Sequence, residues 1–341
     1  MPDDEVSDLI TTYSPGLSLS VPIRRLKAEA NVSYLANFSE YRENPDQSHL
    51  DQYLNSSFEV AFPRGLSILL KNRFEDTEQP QTFDLIYGEL IQRTRRETND
   101  FLTTVILPQY FARFDAEVSY SNFDNQYEEF EDSNYNEQEI GTRLAYKLLT
   151  KLDTFTEFNI GKTVYDTGLI SNSVFYESLA GVRFKETAKT TGIFKIGYRI
   201  RDYEDEDFEQ FRGVVLSLES KTRLTALTNF SILLRRSQEE ALFTPDRNFY
   251  ELNSLYVTLG RRLTNKIDVN VSNYYQILDF PATRTGEDEV EIFTLGFRVA
   301  LDYKIQKWLS ANLSYWYEDR SSSEDLGRKK NVITFTIGAA F

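Results

Sequence analysis

Apolar and polar residues alternate with a period of two along most of this chain. Phe293, Leu295, Phe297, Val299, Leu301 and Tyr303 share one face of an extended segment, opposite Thr294, Gly296, Arg298, Ala300, Asp302 and Lys304. The next segment repeats the pattern, with Leu309, Ala311, Leu313, Tyr315 and Tyr317 against Ser310, Asn312, Ser314, Trp316 and Glu318. Successive side chains of a strand point to opposite faces, so this is a strand signal and not the 3.6-residue signal of a helix. It predicts strands at about 15–22, 26–41, 51–62, 65–76, 88–107, 112–127, 137–149, 153–166, 173–186, 191–204, 211–222, 225–240, 249–263, 266–280, 289–304, 307–321 and 330–341, about 17 in all. Most exceed the usual globular strand of roughly 5–6 residues and suit a tilted membrane crossing of about 9–11.

The connections sharpen this reading because short and long ones alternate. The short ones read IRR, PRG, PQYF, TKL, TAKT, TRL, TNK and IQK, and the long ones include RENPDQSHLD, EEFEDSNYNEQE, DYEDEDFEQ and SSSEDLGRKK. Short turns on one rim and long loops on the other is the arrangement of a transmembrane antiparallel β-barrel, with periplasmic turns and extracellular loops. Acids gather in the long loops (Glu128, Glu129, Glu131, Asp132; Glu204 to Asp207), whereas the short turns carry Arg24, Arg25, Arg64, Lys151, Lys189, Lys266 and Lys307. Tyr41, Tyr120, Tyr203, Tyr275, Tyr315 and Tyr317 lie near strand ends and are expected to form an aromatic girdle at headgroup level.

Composition narrows the alternatives. The chain has 341 residues, Lys+Arg 38 against Asp+Glu 53, and a formal net charge of -15. No apolar run reaches the roughly 18–20 residues of a spanning helix, and alternation lets a barrel cross with low mean hydropathy. With Cys 0, disulfides and thiolate metal sites are excluded. The acidic balance leaves no electrostatic footprint for nucleic acid.

The strand faces imply which residues meet water. A lipid-facing Arg or Lys at mid-depth costs roughly 2–4 kcal/mol, so charged positions within strands are expected to line a lumen. The candidates are Arg199, Arg201, Glu219, Lys221, Arg223, Arg298, Asp302 and Lys304. Their mixed signs suit salt-bridge bracing of the wall, or passage of a neutral or weakly charged hydrated solute, better than a one-sign ion pore. Tyr256, Tyr274 and Trp316 share that parity and either fill space or stack on sugar rings.

Catalytic chemistry is sparse. The single histidine, His49, sits in NPDQSHLDQY near Asp46 and Asp51 and is expected to be a solvated loop residue. No phosphate loop or metal-spaced cluster occurs, and the carboxylates of YEDEDFEQ lack the glycine-centred spacing of an EF-hand. No enzymatic activity, cofactor or metal is expected.

The last residues, NVITFTIGAAF, place Ile333, Phe335, Ile337, Ala339 and Phe341 on one oily face. Such a closing strand ending in Phe resembles the C-terminal signature by which Gram-negative outer-membrane proteins are recognised for assembly, which assigns Phe335, Ile337 and Phe341 that role. YSPGLSLSVPIRRLKAEANVSYLANFSEY and RTRRETNDFLTTVIL are similar to the early segment and the fifth-strand region of the β-barrel porin 2 family. That resemblance implies an outer-membrane conduit linked to exopolysaccharide or capsule export. Its partners would be lipid and lipopolysaccharide, the barrel-assembly machinery, a polysaccharide and a periplasmic export partner. The alternatives are a structural or accessory barrel with an occluded lumen and, disfavoured by the lone histidine, an outer-membrane hydrolase.

The beginning carries its own expectation. MPDDEVSDLI lacks the basic and apolar regions of a signal peptide. With the last strand running down to the periplasm, strict alternation makes the first strand descend as well. Bacterial barrels normally have an even strand number. Residues 1–14 are therefore expected to be the remnant of an extracellular loop, and 15–341 a single barrel of 18 strands lacking its first. The rival is a 16-stranded wall that leaves out residues 1–22.

Overall fold

An alternating chain satisfies its backbone only by pairing each strand with a neighbour, and here neighbours in sequence are neighbours in space. The computed structural model describes residues 8–78, 94–111, 113–167, 170–184, 189–205, 210–240, 249–281, 289–322 and 327–339. Its strands begin with β1 (Ile10–Tyr13), β2 (Gly16–Ile23), β3 (Ala28–Tyr41), β4 (His49–Ala61), β5 (Ser67–Thr77), β6 (Arg96–Phe111), β7 (Phe114–Tyr127), β8 (Tyr135–Leu149) and β9 (Leu152–Tyr165). They continue as β10 (Ser173–Phe184), β11 (Thr190–Tyr203), β12 (Phe211–Thr225), β13 (Thr228–Glu240), β14 (Phe249–Arg262), β15 (Ile267–Phe280), β16 (Val290–Lys304), β17 (Leu309–Ser322) and β18 (Arg328–Ala339). All of these described strands belong to one 18-stranded sheet. Among the described residues no helix is long and apolar enough to cross a membrane.

β1 and β2 are one strand in all but name. Both pair with β3 in a single register, Ile10 opposite Tyr41, Tyr13 opposite Phe38, Gly16 opposite Leu35 and Ile23 opposite Ala28. Only Ser14 and Pro15 interrupt them. Pro15 has no N–H to give, but its carbonyl accepts the Ala36 N–H at 3.0 Å. The eighteen segments thus occupy seventeen positions along the sheet, the number that the alternation predicts.

Two boundaries differ from expectation. The first strand starts at Ile10, inside the stretch read as loop, because its N-terminal end still finds β3 to pair with. PQYF, read as a turn, is the end of β6, and the strand begins at Arg96 instead of near 88. Residues 79–93 lie outside those described. Pro108 cannot donate to the ladder, and the β6–β7 register shifts between Leu107 and Phe111, which is why a strand end there reads as a turn.

The chain divides into two compact units, Met1–Leu144 with Asn159–Phe175, and Ala145–Phe158 with Tyr176–Phe341. In the first, one face of the sheet carries small polar groups, with Ser33, Asn55, Arg73 and Asp100 in register across β3 to β6. The opposite face carries exposed apolar side chains such as Val32, Tyr34, Leu54, Val118 and Tyr120.

The second unit shows the same division. On the outer parity of β18, Ile333 is 75%, Phe335 66% and Ile337 63% exposed, which in water would be a large penalty and in hydrocarbon is none. β16 presents Phe293 through Tyr303 on that parity. Ten residue steps at about 3.4 Å span about 34 Å along the strand, and at a tilt near 40° this is about 25 Å of height, the apolar band of an outer-membrane barrel.

Candidate functional site

The registers of the second unit bring all eleven lumen candidates to one face. Arg199 lies opposite Gly213 and Arg201 opposite Phe211. Glu219 and Lys221 lie opposite Leu233 and Ser231, with Arg223 next on that parity. Leu233 faces Tyr256, Tyr256 faces Tyr274, and Tyr274 faces Gly296. Arg298 and Asp302 face Trp316 and Asn312 across β16 and β17, and Lys304 faces Ser310.

The aromatic members form a shelf. The Tyr256 and Tyr274 rings stack with centroids 5.7 Å apart and planes 19° from parallel. Trp316 Nε1 donates to the Tyr274 hydroxyl at 3.2 Å, and that hydroxyl donates to Glu318. Arg328 holds the other Glu318 oxygen at 2.7 Å, and Lys330 Nζ stands 4.7 Å from the Trp316 ring centroid. Gly296 makes this possible. A Cβ there would overlap Cε1 and Cζ of Tyr274, so only glycine lets that ring lie across β16 to reach β17.

The charged members behave in two ways. Several are braces: Arg199 meets Glu177 at 3.0 Å and buried Arg201 pairs with Glu240, and Lys195, on the same parity though outside the candidate set, meets Glu157 at 2.8 Å. Asp302 accepts from Asn270 at 3.2 Å and Asn312 at 2.7 Å, while Lys304 meets Asp268 at 3.0 Å. Lys221 pairs with Glu219 at 3.0 Å where both are exposed. Among the described residues Arg223 and Arg298 form no ion pair.

The alternation did not reveal what lies on this same face toward the long loops. Tyr250, Leu252, Leu278, Phe280, Val290 and Ile292 are buried there, with the Tyr250 and Phe280 rings 5.0 Å apart. At the same height the outer parity carries Glu251, Asp279 and Glu291, opposite one another in register. Above the apolar band the outer surface meets water, so acids take that side and the hydrophobic residues turn inward. The end of β15, QILDF, carries this switch: Leu278 and Phe280 continue the parity of Tyr274 while Asp279 takes that of Tyr275.

Other expectations resolve differently. His49 is not solvated: its side chain is 2% exposed, its Nδ1 meets the Gln47 carbonyl at 2.9 Å, and its Nε2 is 3.5 Å from buried Asp51. Asp46 stays exposed and takes no part. Tyr203 is not a girdle residue, since it stacks on Phe249 at 6.4 Å and accepts from Gln238 at 3.1 Å. Among the described residues no group of carboxylates or histidines is placed to hold a metal, and most of YEDEDFEQ, together with Phe341, lies outside them.

No curated protein matches the sequence. Solved structures share the fold at low identity. The FrpB iron transporter from Neisseria meningitidis (F5-1 variant) aligns with TM-score 0.53 and 10% identity over 99% of this chain and 68% of its own. The copper transporter OprC gives 0.52 and 10% over 98% and 63%. FpvA of P. aeruginosa, solved with heterologous pyoverdine, gives 0.53 and 8% over 97% and 57%, so this chain spans about two thirds or less of these longer barrels. The sequence profile described as putative beta-barrel porin 2 matches residues 6–340. With nearly its whole length matched and its fold that of outer-membrane barrels, this chain belongs to the β-barrel porin 2 family and resides in the outer membrane of Gram-negative bacteria.

Proposed function

We propose that this barrel is a passive conduit whose water-filled path runs along the polar face of the second unit, and that its cargo is a hydrated polysaccharide. The observation that carries the reading is the shelf of Tyr256, Tyr274 and Trp316 set among charged and amide side chains on one face. Flat aromatic surface beside hydrogen-bonding groups suits sugar rings, which offer C–H faces and hydroxyl edges. Export, rather than uptake, follows from the resemblance to exopolysaccharide-associated barrels. In this reading the protein does no covalent chemistry, its wall meets lipid and lipopolysaccharide, the barrel-assembly machinery inserts it, and a periplasmic export partner delivers the cargo to the short-turn rim.

The apolar cluster around Tyr250 and Phe280, together with the braces at Arg199 and Arg201, favours a second reading, a structural barrel whose lumen is occluded near the long loops. Planar-bilayer recording of the refolded protein separates the two. The conduit gives steady current that maltohexaose interrupts, with shorter interruptions in Trp316→Ala. Absence of current at any voltage would overturn the conduit.

A further inference from the structure

A recess of about 400 Å³ opens on the polar face of the second unit at the short-turn end. Its size falls in the range of about 300–1,000 Å³ usual for small-molecule sites. Lys189, Lys221 and Arg223 line it, together with Asn229, Thr258 and Asn270. Among the described residues no carboxylate lines it, in a chain whose net charge is -15. Two acids stand beside it: Glu219 engages Lys221 from an exposed position at 3.0 Å, and Asp302 accepts from Asn270 at 3.2 Å. Arg223 forms no ion pair among the described residues, although a planar guanidinium is the side chain best matched to a carboxylate or phosphate.

We infer that this recess binds the anionic group of the passing solute, a carboxylate, sulfate or phosphate on a glycan, as it enters from the short-turn rim. The inference rests on the conduit reading and adds the charge of the cargo and its first contact. Arg223 and Lys221 supply charge-assisted hydrogen bonds, and Asn229, Thr258 and Asn270 supply the neutral donors and acceptors that sugar hydroxyls require. An anion arriving at the short-turn rim is drawn to the cationic recess.

The test uses the refolded chain in zwitterionic bilayers, so that no anionic headgroup competes. Hexagalacturonate and maltohexaose, equal in length, are added from each side in turn while current is recorded. Hexagalacturonate should block from the short-turn side at a concentration at least about tenfold below maltohexaose, the consequence of one or two charge-assisted hydrogen bonds. Lys221→Gln with Arg223→Gln should abolish that difference, and so should Asn229→Asp, which puts a carboxylate in the recess at constant size. Arg24→Gln with Arg25→Gln, the same charge change at another short turn, should leave it intact. Equal blockade by the two sugars in a conducting wild-type channel, or equal loss in the Arg24 and Arg25 control, overturns the recess while leaving the conduit standing. A protein that folds but never conducts overturns the conduit itself.

Discussion

Replacing Gly296 by alanine adds one methyl group, and the structure makes the consequence unusually local. The new Cβ would occupy the space of the Tyr274 ring, so the ring must leave. Three interactions go with it: the Tyr274 hydroxyl to Glu318, the Trp316 Nε1 to Tyr274 at 3.2 Å, and the stack on Tyr256 at 5.7 Å. A hydrogen bond to a charged group contributes about 1.5–3 kcal/mol and a neutral one about 0.5–1.5 kcal/mol. An aromatic pair adds about 0.5–1.5 kcal/mol. These terms are not additive, and alanine regains about 0.4–1 kcal/mol by restricting the unfolded chain. The expected net loss is about 1.5–3 kcal/mol. Urea unfolding in lipid vesicles, followed by tryptophan fluorescence, measures it directly because Trp316 is one of only two tryptophans. The control is Tyr274→Ala, which vacates the space. In that background Gly296→Ala should cost less than about 0.5 kcal/mol, so the cycle should show coupling of about 1–3 kcal/mol. The same cost in both backgrounds would falsify the claim that Gly296 exists to admit the Tyr274 ring.

Two further predictions bear on the wall and its outer rim. Phe297, midway along β16 on the lipid side, should when changed to Arg cost roughly 2–4 kcal/mol and suppress the heat-modifiable band on a gel, whereas Arg298→Phe should keep that band; equal damage would mean that the face assignment is inverted. Asp8 accepts the backbone N–H groups of Arg42, Glu43 and Asn44 at 2.9–3.1 Å, and these bonds, Glu43 first, hold its carboxyl below the ordinary aspartate value of 3.8. A depressed folded pKa contributes order that is present above that ordinary value and lost as pH falls through the lower folded one. Hydrogen exchange at residues 42–44 should therefore quicken in strong acid beyond its intrinsic pH dependence and lose this dependence in Asp8→Asn; an unchanged profile in the variant would remove Asp8 from the account.

The sequence by itself determined the parts of this protein that a two-residue period can carry. Phe297 and Arg298 are assigned to opposite faces by parity alone, and the turn-and-loop rhythm yields seventeen strand positions with most boundaries near those observed, because pairing in a meander is local and each turn fixes the next register. Family membership was also legible, in the early segment and the fifth-strand region. The tertiary structure decided whatever depends on neighbours across strands. That Gly296 gives its place to Tyr274, that Arg199 and Lys195 are tied to Glu177 and Glu157 while Arg223 is not, and that three cations meet in one recess are facts of register and side-chain reach. The clearest case is the end of β15, where Leu278 and Phe280 keep the inward parity of Tyr274 but are buried among other apolar side chains. Parity says which way a residue points; only the height at which lipid gives way to water says what that direction means for its burial.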